Sequence, residues 1–517
     1  MTRQPNILVI QADQLTALCL SAYGRPLAKT PNIDRLSEEG TVFSRAYCNY
    51  PVCGPSRASM MTGRLPSQIG AFDNGAPFGC HEPTYAHYLR RLGYDTTLIG
   101  KMHFVGPDQL HGFERRLTTD IYPSDFGWTA DWRQTREPYS PSRMSLQGVV
   151  EAGTCVRSLQ LDYDEQVFNS ARQELFDHAR RPDARPFLTH VSFTHPHNPF
   201  VITKEFWNLY EGVDIPDPEV EHIPVDARDP WSQRYAKTIR EDEFEITPER
   251  LTRARRAYFA MVTYFDSLVG GLIDVLESTG ALADTVVIIT SDHGEMLGER
   301  GTWFKFLPFE PSVRVPLIVR GPGFRAGHSE TALVSLVDLL PTFTDIASEG
   351  SFADFAAPRD GRSLFALPCA GSTNDHVFIE FTGEGVYAPA LTLVQGSKKL
   401  VECRTDPPMM FDLDDDPGER RNIAGTGDSD EAAMRVVMRL RWDAERLDSA
   451  VRTSQEKRLD LQKAMKAGQF PTWDYAPPFD ASRAFVRGAI DPNTTATKSQ
   501  KRFPFVPPTP PQFPRSR

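Results

Sequence analysis

The sequence has few cysteines, and none of them belongs to a paired motif. Seven cysteines, an odd number, are scattered along 517 residues without a CxxC pair. A disulfide framework or a structural zinc site needs cysteines at close and regular spacing, so neither is expected, and a reducing compartment fits this usage. Most of these cysteines are predicted to be small buried hydrophobic residues.

Long hydrophobic runs and an excess of positive charge are also missing. No run of about 18 consecutive apolar residues occurs, so no membrane span is expected. The start, MTRQPNILVIQADQ, does not resemble a secretory signal with a cleavage site, and we expect a cytoplasmic protein. The formal net charge is −11, which argues against nucleic acid as a partner and still permits a locally positive anion pocket.

Short runs rich in β-branched residues alternate with helical patterns. The runs predict five buried parallel strands, at Asn6–Ile10, Thr96–Ile99, Phe187–Phe193, Thr285–Thr290 and Val315–Val319. Apolar residues at three- and four-residue spacing predict helices at Thr84–Leu92 and Glu249–Leu276. This alternation predicts an α/β sheet covered by helices on both faces.

Four of the five predicted strands run directly into polar side chains that can take part in catalysis or metal binding. These residues are Asp13, Lys101, His195 with His197, and Asp292 with His293. Because chemistry gathers at the carboxyl ends of strands in such sheets, we expect these side chains to form one site. Oxygen-rich ligands suit a hard cation such as Ca²⁺, and geometry decides between it and Mg²⁺ or Mn²⁺.

The character of the sequence changes after about residue 375. Three short runs predict antiparallel strands, at Val377–Phe381, Ala390–Val394 and Lys399–Cys403, and Asp430–Lys466 predicts one long charged helix. The last residues are rich in proline and aromatic side chains, a composition that continues neither a sheet nor a helix. We therefore predict a catalytic domain at 1–375, a smaller C-terminal α+β domain at 376–469, and an extended oligomerisation arm at 470–517.

The sharpest motif is the run from Cys53 to Arg57, CGPSR, followed by ASMMTG. A cysteine beside an arginine at a helix start meets free N–H groups and a positive dipole end, which suit an anion and an activated nucleophile. Without further motifs, the alternative to an activated nucleophile is a buried cysteine next to a helix cap. The order CxPSR followed by TG resembles the signature of type I sulfatases. The resemblance implies that a modifying enzyme oxidises Cys53 to formylglycine.

Other segments resemble the same family. GYDTTLIGKMH is similar to its second motif, which delivers Lys101 and His103 to the site, and Lys305 matches the family's sulfate-binding lysine. The Pro-His-x-Pro segment assigns a substrate contact to His197, whereas His195 is open between a substrate contact and a structural role. A surface lysine and a structurally satisfied histidine are the alternative for Lys101 and His103.

The resemblance also implies a metal site. The family binds its metal through two acidic residues after the first strand and an Asp with Asn or His after a later one, which here are Asp13, Gln14, Asp292 and His293. Gln14 departs from the commoner Asp, so one negative charge is lost, although its amide oxygen is still a ligand for a cation. Ca²⁺ is the expected ion, with Mg²⁺ or Mn²⁺ as alternatives.

The resemblance covers almost the whole chain and narrows to choline sulfatases. It implies a large mixed, mainly parallel sheet flanked by helices, a smaller C-terminal domain and an extended tail. The segments that carry it are 100–128, 192–200, 291–306 and KRFP at 501–504. The residues 136–150 depart from that subfamily, so a different small alkyl sulfate is also open.

Substrate recognition and assembly are expected from the same resemblance. A quaternary ammonium head needs an aromatic face and nearby carboxylates, and the candidates are Trp128, Glu384 and Asp491. The alternative is that Trp128 belongs to the core and both acids are solvated. The Pro- and aromatic-rich arm implies a homo-oligomer, a dimer or a tetramer, since it has no core of its own in which to bury its aromatic side chains.

A sulfate monoester implies a set of chemical roles. In the mechanism that the resemblance implies, Arg57, Lys101 and Lys305 hold the sulfate oxygens with the metal, and a formylglycine hydroxyl attacks sulfur. His197, with Lys305, protonates the leaving alkoxide, and His103 is the base that regenerates the aldehyde. Two alternatives stay open: a phosphonate monoester hydrolase or phosphodiesterase, and a non-catalytic anion-binding relative whose cysteine is never oxidised.

Overall fold

A computed structural model describes residues 4–122, 124–134, 141–142, 144–181, 185–365 and 376–467. Its strands are β1 (Asn6–Ala12), β2 (Thr41–Tyr47), β3 (Asp95–Gly100), β4 (Arg115–Arg116), β5 (Gly153–Cys155), β6 (Phe187–Ser192), β7 (Val201–Thr203), β8 (Thr285–Ser291), β9 (Leu317–Arg320), β10 (His328–Ser335), β11 (His376–Phe381), β12 (Ala390–Gln395), β13 (Lys398–Cys403) and β14 (Met409–Asp412). Its α-helices are α1 (Pro31–Glu38), α2 (Cys53–Thr62), α3 (Pro66–Ile69), α4 (Tyr85–Arg91), α5 (Gln147–Val150), α6 (Leu159–Ala179), α7 (Lys204–Asn208), α8 (Pro230–Thr238), α9 (Pro248–Ser278), α10 (Glu310–Val313), α11 (Leu339–Ser348), α12 (Ser429–Arg441) and α13 (Ala444–Lys466).

The large sheet has eight strands in the order β10-β2-β9-β8-β1-β6-β3-β4. β1 lies at its centre, parallel to both β6 and β8, and all seven of its residues are buried. Such complete burial is expected of a strand that is covered on both faces. The predicted mixed, mainly parallel sheet flanked by helices is confirmed.

One strand runs opposite to the prediction. β9 was expected to be parallel and instead pairs antiparallel with β2 and β8. The connection from β8 stays at the carboxyl end of the sheet, where its only regular helix is the four-residue α10. Without a crossover to the other end, the chain can return only in the antiparallel direction. β2 and β10, which pair parallel to each other, were not predicted from the sequence.

The C-terminal part contains the four-stranded antiparallel sheet β11-β12-β13-β14. The single helix predicted for Asp430–Lys466 is wrong, because α12 and α13 are separate helices. Trp442 between them has an extended backbone, and the Asp443 side chain accepts a hydrogen bond from the Arg446 N–H, which begins a new helix. The boundary at 375/376 and the arm at 470–517 lie outside the described residues, so the domain limits and oligomerisation through the arm stay predictions.

Helix α9 is the longest helix of the described chain. By length and composition it could cross a membrane, but 83% of its apolar window is buried inside the protein. It packs against α1, α6 and α7. This burial is that of a core helix, which supports one face of the sheet.

A buried histidine couples the sheet to pH. His190 in β6 is fully buried, with Nδ1 2.7 Å from the Tyr85 hydroxyl and Nε2 2.7 Å from Gln11 Oε1. Burial, with the nearby Arg57 charge, lowers its pKa to about 3. In the unfolded chain the pKa is about 6.5, so between these values only the unfolded state takes up the proton. Its contribution to stability is therefore complete above pH ~6.5 and is lost as the pH falls below that value.

His190→Gln is expected to make the protein less sensitive to acid. The wild-type free energy of unfolding should fall by about 1.4 kcal/mol more per pH unit in this window than that of the variant. The measurement is the urea midpoint of both proteins at neutral pH and about one unit below pH 6.5. Equal acid-induced shifts in the two proteins would contradict the assignment.

Candidate active site

The sheet brings the predicted acidic residues together at its carboxyl edge. β1 and β8 are neighbours, and Ala12 pairs with Ser291 at the end of the two strands. Asp13 and Asp292 are the next residues of the two strands, and both are completely buried. The site therefore follows from strand order and register.

Lys101 reaches the site by a similar route. Gly100 closes β3 beside Ser192 of β6, and its φ is +109°. A Cβ at this position would meet the Ser192 carbonyl oxygen at 1.9 Å, so only glycine permits this approach. The Lys101 N–H then donates to the same carbonyl at 3.1 Å, which aims the lysine at the site.

Cys53 is the first residue of α2 and is 2% exposed. Its Sγ lies 3.2 Å from His293 Nε2, 3.9 Å from Asp13 Oδ1, and 3.8 and 3.7 Å from the ammonium groups of Lys101 and Lys305. Burial, followed by the Asp13 charge, raises the pKa of the thiol to about 11. Cys53, the predicted nucleophile, thus lies within 4 Å of both lysines that face the cavity.

The donor atoms beside Cys53 fit a divalent cation. Asp13, Cys53, Asp292 and His293 are all buried, with one donor atom from each within 4.8 Å of the others. Asp13 Oδ1 and Asp292 Oδ1 lie 3.9 and 3.7 Å from His293 Nε2. Two ligands at right angles, each about 2.4 Å from one ion, are about 3.4 Å apart. Small adjustments therefore suffice to bind an ion.

The tautomer of His293 supports the same assignment. Its Nδ1 lies 3.0 Å from the Gly294 carbonyl oxygen, which can only accept, so Nδ1 carries the proton. Burial lowers the pKa of His293 to about 4, which keeps the ring neutral near pH 7. Its Nε2 lone pair consequently faces Asp13 and Asp292, as a metal ligand requires.

Gln14 stands in a strained and heavily bonded position. Its φ is +66°, and its side-chain Oε1 accepts a hydrogen bond from Lys305 Nζ at 2.7 Å. Its Nε2 donates to Glu295 Oε2 at 2.5 Å and to Asn198 Oδ1 at 3.3 Å. Glu295 is buried, and it orients the amide so that the oxygen faces the site. Coordination of metal by Gln14 stays a prediction.

Arg57 has a different position from the one predicted. Its guanidinium donates to Asp292 Oδ2 at 2.8 Å, Asp13 Oδ2 at 2.9 Å, Ser192 Oγ at 2.8 Å and the Lys101 carbonyl at 2.5 Å. All three nitrogens are thus occupied behind the carboxylates, and Arg57 does not line the cavity. Arg57 therefore fixes the metal-site carboxylates, whereas its predicted contact with sulfate stays a prediction.

Lys101 and Lys305 form the cationic wall of the cavity, and His197 lies beside Lys305. Lys101 Nζ lies 2.6 Å from Asp13 Oδ2, and Lys305 Nζ lies 2.8 Å from His197 Nε2. Burial would raise the pKa of Asp13, but Lys101 and the other nearby cations outweigh it and hold that pKa well below its usual value. Burial and then Lys305 lower the pKa of His197 well below its usual value.

The loop that carries Lys305 is unusual in its backbone. Phe304 and Phe306, on either side of the lysine, have φ values of +66° and +78°. His103 also has a positive φ, +58°. Bulky residues avoid this region, and such strain concentrates at functional sites, where the surrounding structure holds it.

His103 lies beside Gly54, the residue after Cys53, since a Cβ built on Gly54 would be 3.2 Å from the imidazole ring. Its Nε2 is 3.3 Å from the Asn74 carbonyl oxygen, and its ring meets Trp128 edge-on with 5.4 Å between centroids. Burial, followed by the Lys101 charge, lowers its pKa to about 4. Asn74 Oδ1 also accepts from the Gly54 N–H at 2.9 Å, so one asparagine contacts both His103 and the residue after Cys53.

A cavity of about 420 Å³ opens onto these groups. Its walls include Cys53, Lys101, His103, His197, Lys305, Tyr122 and Trp128. The stretch that departs from choline sulfatases also forms part of the wall, through Met144, Ser145, Gln147 and Gly148. This is a volume for a small-molecule substrate.

A smaller cavity adjoins it behind Trp128. Both cavities share Asn74, Trp128, Ser142 and Phe306. The smaller one, about 20 Å³, is also lined by Tyr50, Phe381 and Glu384, whose carboxylate accepts from the Ser142 N–H at 3.5 Å. Glu384 is 6% exposed, so it is not the solvated surface acid of the alternative interpretation. Asp491 lies outside the described residues.

The structure separates His195 from the site and adds residues that the sequence analysis missed. His195 Nδ1 lies 2.7 Å from Asp164 Oδ2, and its ring packs edge-on against Tyr264, which is a structural role. The missed residues are Asn74, Tyr122, Asn198 and Glu295. Tyr122, Asn198 and Glu295 lie in segments that carry the resemblance, but no motif gives any of the four a role, because their roles arise from contacts between distant segments.

Family comparisons agree with this geometry. A family model described as Sulfatase matches residues 5–349, and one described as Choline sulfatase enzyme C terminal matches residues 449–503. A third, N-sulphoglucosamine sulphohydrolase, C-terminal, matches residues 298–446. The chain therefore belongs to the sulfatase family of the alkaline phosphatase superfamily.

Individual relatives narrow the class. The chain is 42% identical over 511 residues to the choline-sulfatase of Rhizobium meliloti (strain 1021), covering 97% of this chain and 99% of that protein. It is 31% identical over 395 residues to human iduronate 2-sulfatase, covering 66% and 68%. The protein is an enzyme, a choline-sulfatase-like sulfuric ester hydrolase.

Solved structures share the fold. The phosphonate monoester hydrolase of Agrobacterium radiobacter is 26% identical with a TM-score of 0.66, covering 87% of this chain and 96% of that one. BT4656, in complex with its substrate D-glucosamine-2-N,6-O-disulfate, is 22% identical with a TM-score of 0.65, covering 87% and 99%. The second likeness supports the fold alone.

Proposed function

We propose that this enzyme hydrolyses the sulfate monoester of a small alcohol with a cationic head, choline sulfate first, and that Cys53 acts as formylglycine. The reaction consumes one water and releases the alcohol and inorganic sulfate. The observation that carries the proposal is the place of Cys53 on one cavity wall with Lys101, Lys305 and two histidines, beside the aromatic face of Trp128.

Two groups are implied by the family and fit the residues present. A hydrated formylglycine supplies an oxygen nucleophile, and a divalent cation, Ca²⁺ first and Mg²⁺ or Mn²⁺ as alternatives, supplies charge neutralisation. Asp13, Asp292 and His293 would hold the cation, with Gln14 as the fourth candidate. Carboxylate and amide oxygens with one imidazole nitrogen are a donor set that suits such ions.

The protein's own cations bind and orient the sulfate. Lys101 and Lys305 lie within 4 Å of Cys53 Sγ and face the cavity, so their ammonium groups meet the sulfate oxygens. Cations that are already fixed in a site shielded from water stabilise charge more strongly than they would in solution. Arg57 contributes from behind by fixing Asp13 and Asp292.

Proton transfer to the leaving alkoxide involves Lys305 and His197 together. His197 Nδ1 lies 2.6 Å from the Asn198 carbonyl oxygen, so it carries a proton and Nε2 accepts from Lys305. The proton available to the leaving group therefore comes from Lys305, with His197 holding that lysine in place. His103 is neutral, and its Nε2 donates a hydrogen bond to the Asn74 carbonyl oxygen. Its Nδ1 can therefore accept a proton, as the predicted role of a base requires.

Head-group recognition gives a direct test with a matched substrate. A cation over a desolvated Trp face gains on the order of 2 kcal/mol, or roughly 30-fold. Wild type should therefore prefer choline sulfate over its neutral isostere, in which carbon replaces the ammonium nitrogen. Trp128→Ala should reduce that preference, as measured by the ratio of kcat/KM for the two esters. Trp128→Ala also removes a packing contact of His103, but this change affects both substrates equally. The ratio of the two kcat/KM values therefore reports on the head group.

Two outcomes would contradict this recognition. One is a wild-type enzyme that hydrolyses the two esters equally well. The other is a Trp128→Ala variant that keeps the full preference. Because residues 144–148 line the cavity, a panel of other small alkyl sulfates belongs in the same experiment, and a better substrate among them would replace choline sulfate in the proposal.

The second candidate function is phosphonate monoester hydrolysis. Its supporting observation is the likeness to the phosphonate monoester hydrolase of Agrobacterium radiobacter, at 26% identity and a TM-score of 0.66. The two activities need the same cations and the same nucleophile position. They differ in their preference for sulfur or phosphorus at the reacting centre.

The proposed modification needs a separate modifying enzyme and an oxidant. We expect the cytoplasm of the host cell to supply both. Mass spectrometry of the tryptic peptide Ala46–Arg57, from protein made in a host that carries the modifying enzyme, tests it directly. Conversion of the Cys53 thiol to the aldehyde lowers the peptide mass. An unmodified peptide in fully active protein would refute formylglycine, and one in inactive protein would favour the anion-binding relative.

A further inference from the structure

Arg458, on the C-terminal helix α13, is buried against the catalytic sheet's loops. It is 3% exposed, and its Nη2 lies 3.0 Å from Asp73 Oδ2 while Nη1 contacts Asp73 Oδ1. Nη1 also donates to Thr129 Oγ1 at 3.0 Å. Asp73 is 5% exposed, so this is a buried bidentate ion pair between segments 385 residues apart.

Asp73 joins two loops with one carboxylate. Its Oδ1 accepts from the Gly75 N–H at 3.0 Å, and its Oδ2 accepts from the Ala130 N–H at 3.4 Å. The loops approach so closely that a Cβ on Gly75 would meet the Thr129 nitrogen at 2.6 Å. Arg458 therefore neutralises and orients the group that clamps both loops.

Each clamped loop carries a residue of the active site. Asn74, between Asp73 and Gly75, accepts from Gly54 next to Cys53 and from His103. Trp128, directly before Thr129, lines both cavities and packs edge-on against His103. Contacts thus run without a gap from helix α13 to the turn at Cys53 and to the head-group wall.

We propose that Arg458 is a positioning residue for sulfate ester hydrolysis. It acts through Asp73 and Thr129 to hold Asn74 and Trp128, and so sets both the His103 side of the site and the wall that meets the alcohol. The part that concerns the head group rests on the proposed function, whereas the part that concerns His103 and Gly54 applies to any sulfate ester. The C-terminal helix is in this way a component of the active site.

The test measures kcat and KM separately for choline sulfate and for p-nitrophenyl sulfate. Arg458→Gln is expected to lower kcat/KM for choline sulfate by more than about tenfold. It should raise KM for that ester more than for the aryl sulfate, with formylglycine content at position 53 unchanged. Arg458→Lys should recover only part of the loss, since an ammonium cannot make the bidentate contact.

A second variant protects the test against misfolding. Arg458→Gln leaves the buried Asp73 carboxylate without its partner, whereas the combination with Asp73→Asn leaves two neutral amides that hydrogen bond to each other. If the pair acts as one unit, the double variant should be no less active than Arg458→Gln alone. Strictly additive losses from the two single changes would overturn the coupling.

Arg404→Gln is the matched control. Arg404 pairs at 2.9 Å with Asp448, which lies on helix α13 as Arg458 does. The Arg404 side chain is 54% exposed. Its loss should leave both substrates at wild-type rates. Equal losses in Arg404→Gln and Arg458→Gln, or wild-type kinetics in folded Arg458→Gln, would overturn the proposal. If the wild type is inactive on choline sulfate, the head-group assignment fails separately, and the effect on the aryl sulfate still decides the role of Arg458.

Discussion

Replacing Cys53 with alanine is expected to abolish turnover of sulfate esters, by a factor on the order of 10⁴ or more, while the protein stays folded. Polar groups lie close to Cys53 Sγ, with His293 Nε2 at 3.2 Å and the Lys305 ammonium at 3.7 Å. The side chain therefore contributes to chemistry rather than to apolar packing. The measurements are release of inorganic sulfate and the thermal unfolding midpoint of the variant.

Cys53→Ser is the informative companion of that variant. It keeps an oxygen at the same place but offers one hydroxyl instead of the two of a hydrated aldehyde. We expect at most one equivalent of alcohol per enzyme molecule and then no further turnover. If folded Cys53→Ala kept as much as about a tenth of wild-type turnover, residue 53 could not be the nucleophile.

Asp13→Asn and Asp292→Asn are each expected to lose bound metal and activity together. Each change removes one charged oxygen ligand from a completely buried set. A cation in such a site stabilises transition-state charge by several kcal/mol, so activity should fall by more than about 100-fold. Metal content after dialysis and the rate of sulfate release are measured on the same samples.

A control separates metal loss from general damage. Asp266 is also a buried carboxylate, and it accepts from the Ile33 N–H at 2.8 Å far from the site in sequence. Folded Asp266→Asn should retain metal and activity. Full metal occupancy with full activity in either site variant would show that the carboxylates at the ends of β1 and β8 were misassigned.

The sequence predicted most of the site because strand ends are visible in it. Asp13 and Asp292 each follow a strand rich in β-branched residues, and adjacent parallel strands bring such ends to one edge. The roles of Cys53, Lys101, His103 and His197 came from the resemblance to sulfatases, and the cavity brings all four together. Local pattern and family motif therefore sufficed to predict that these residues meet at one place, while their roles stay predictions.

Other features depend on contacts that no local pattern contains. The direction of β9 depends on the route of the chain after Lys305, and the break before α13 depends on Trp442, whose indole donates to Glu380 at 2.6 Å. Arg57 carries the motif of a sulfate-binding residue, yet two buried carboxylates compete for its guanidinium and hold it behind them. Glu295 and Arg458 act through partners hundreds of residues away.

The most direct test of the central claim compares two esters of one alcohol. Choline sulfate and the choline monoester of methylphosphonic acid share the leaving group, the head and the single negative charge at the reacting centre. The account predicts a kcat/KM for the sulfate that is higher by more than about tenfold, or about 1.4 kcal/mol of transition-state stabilisation. A wild-type enzyme with formylglycine at position 53 that prefers the phosphonate would contradict it.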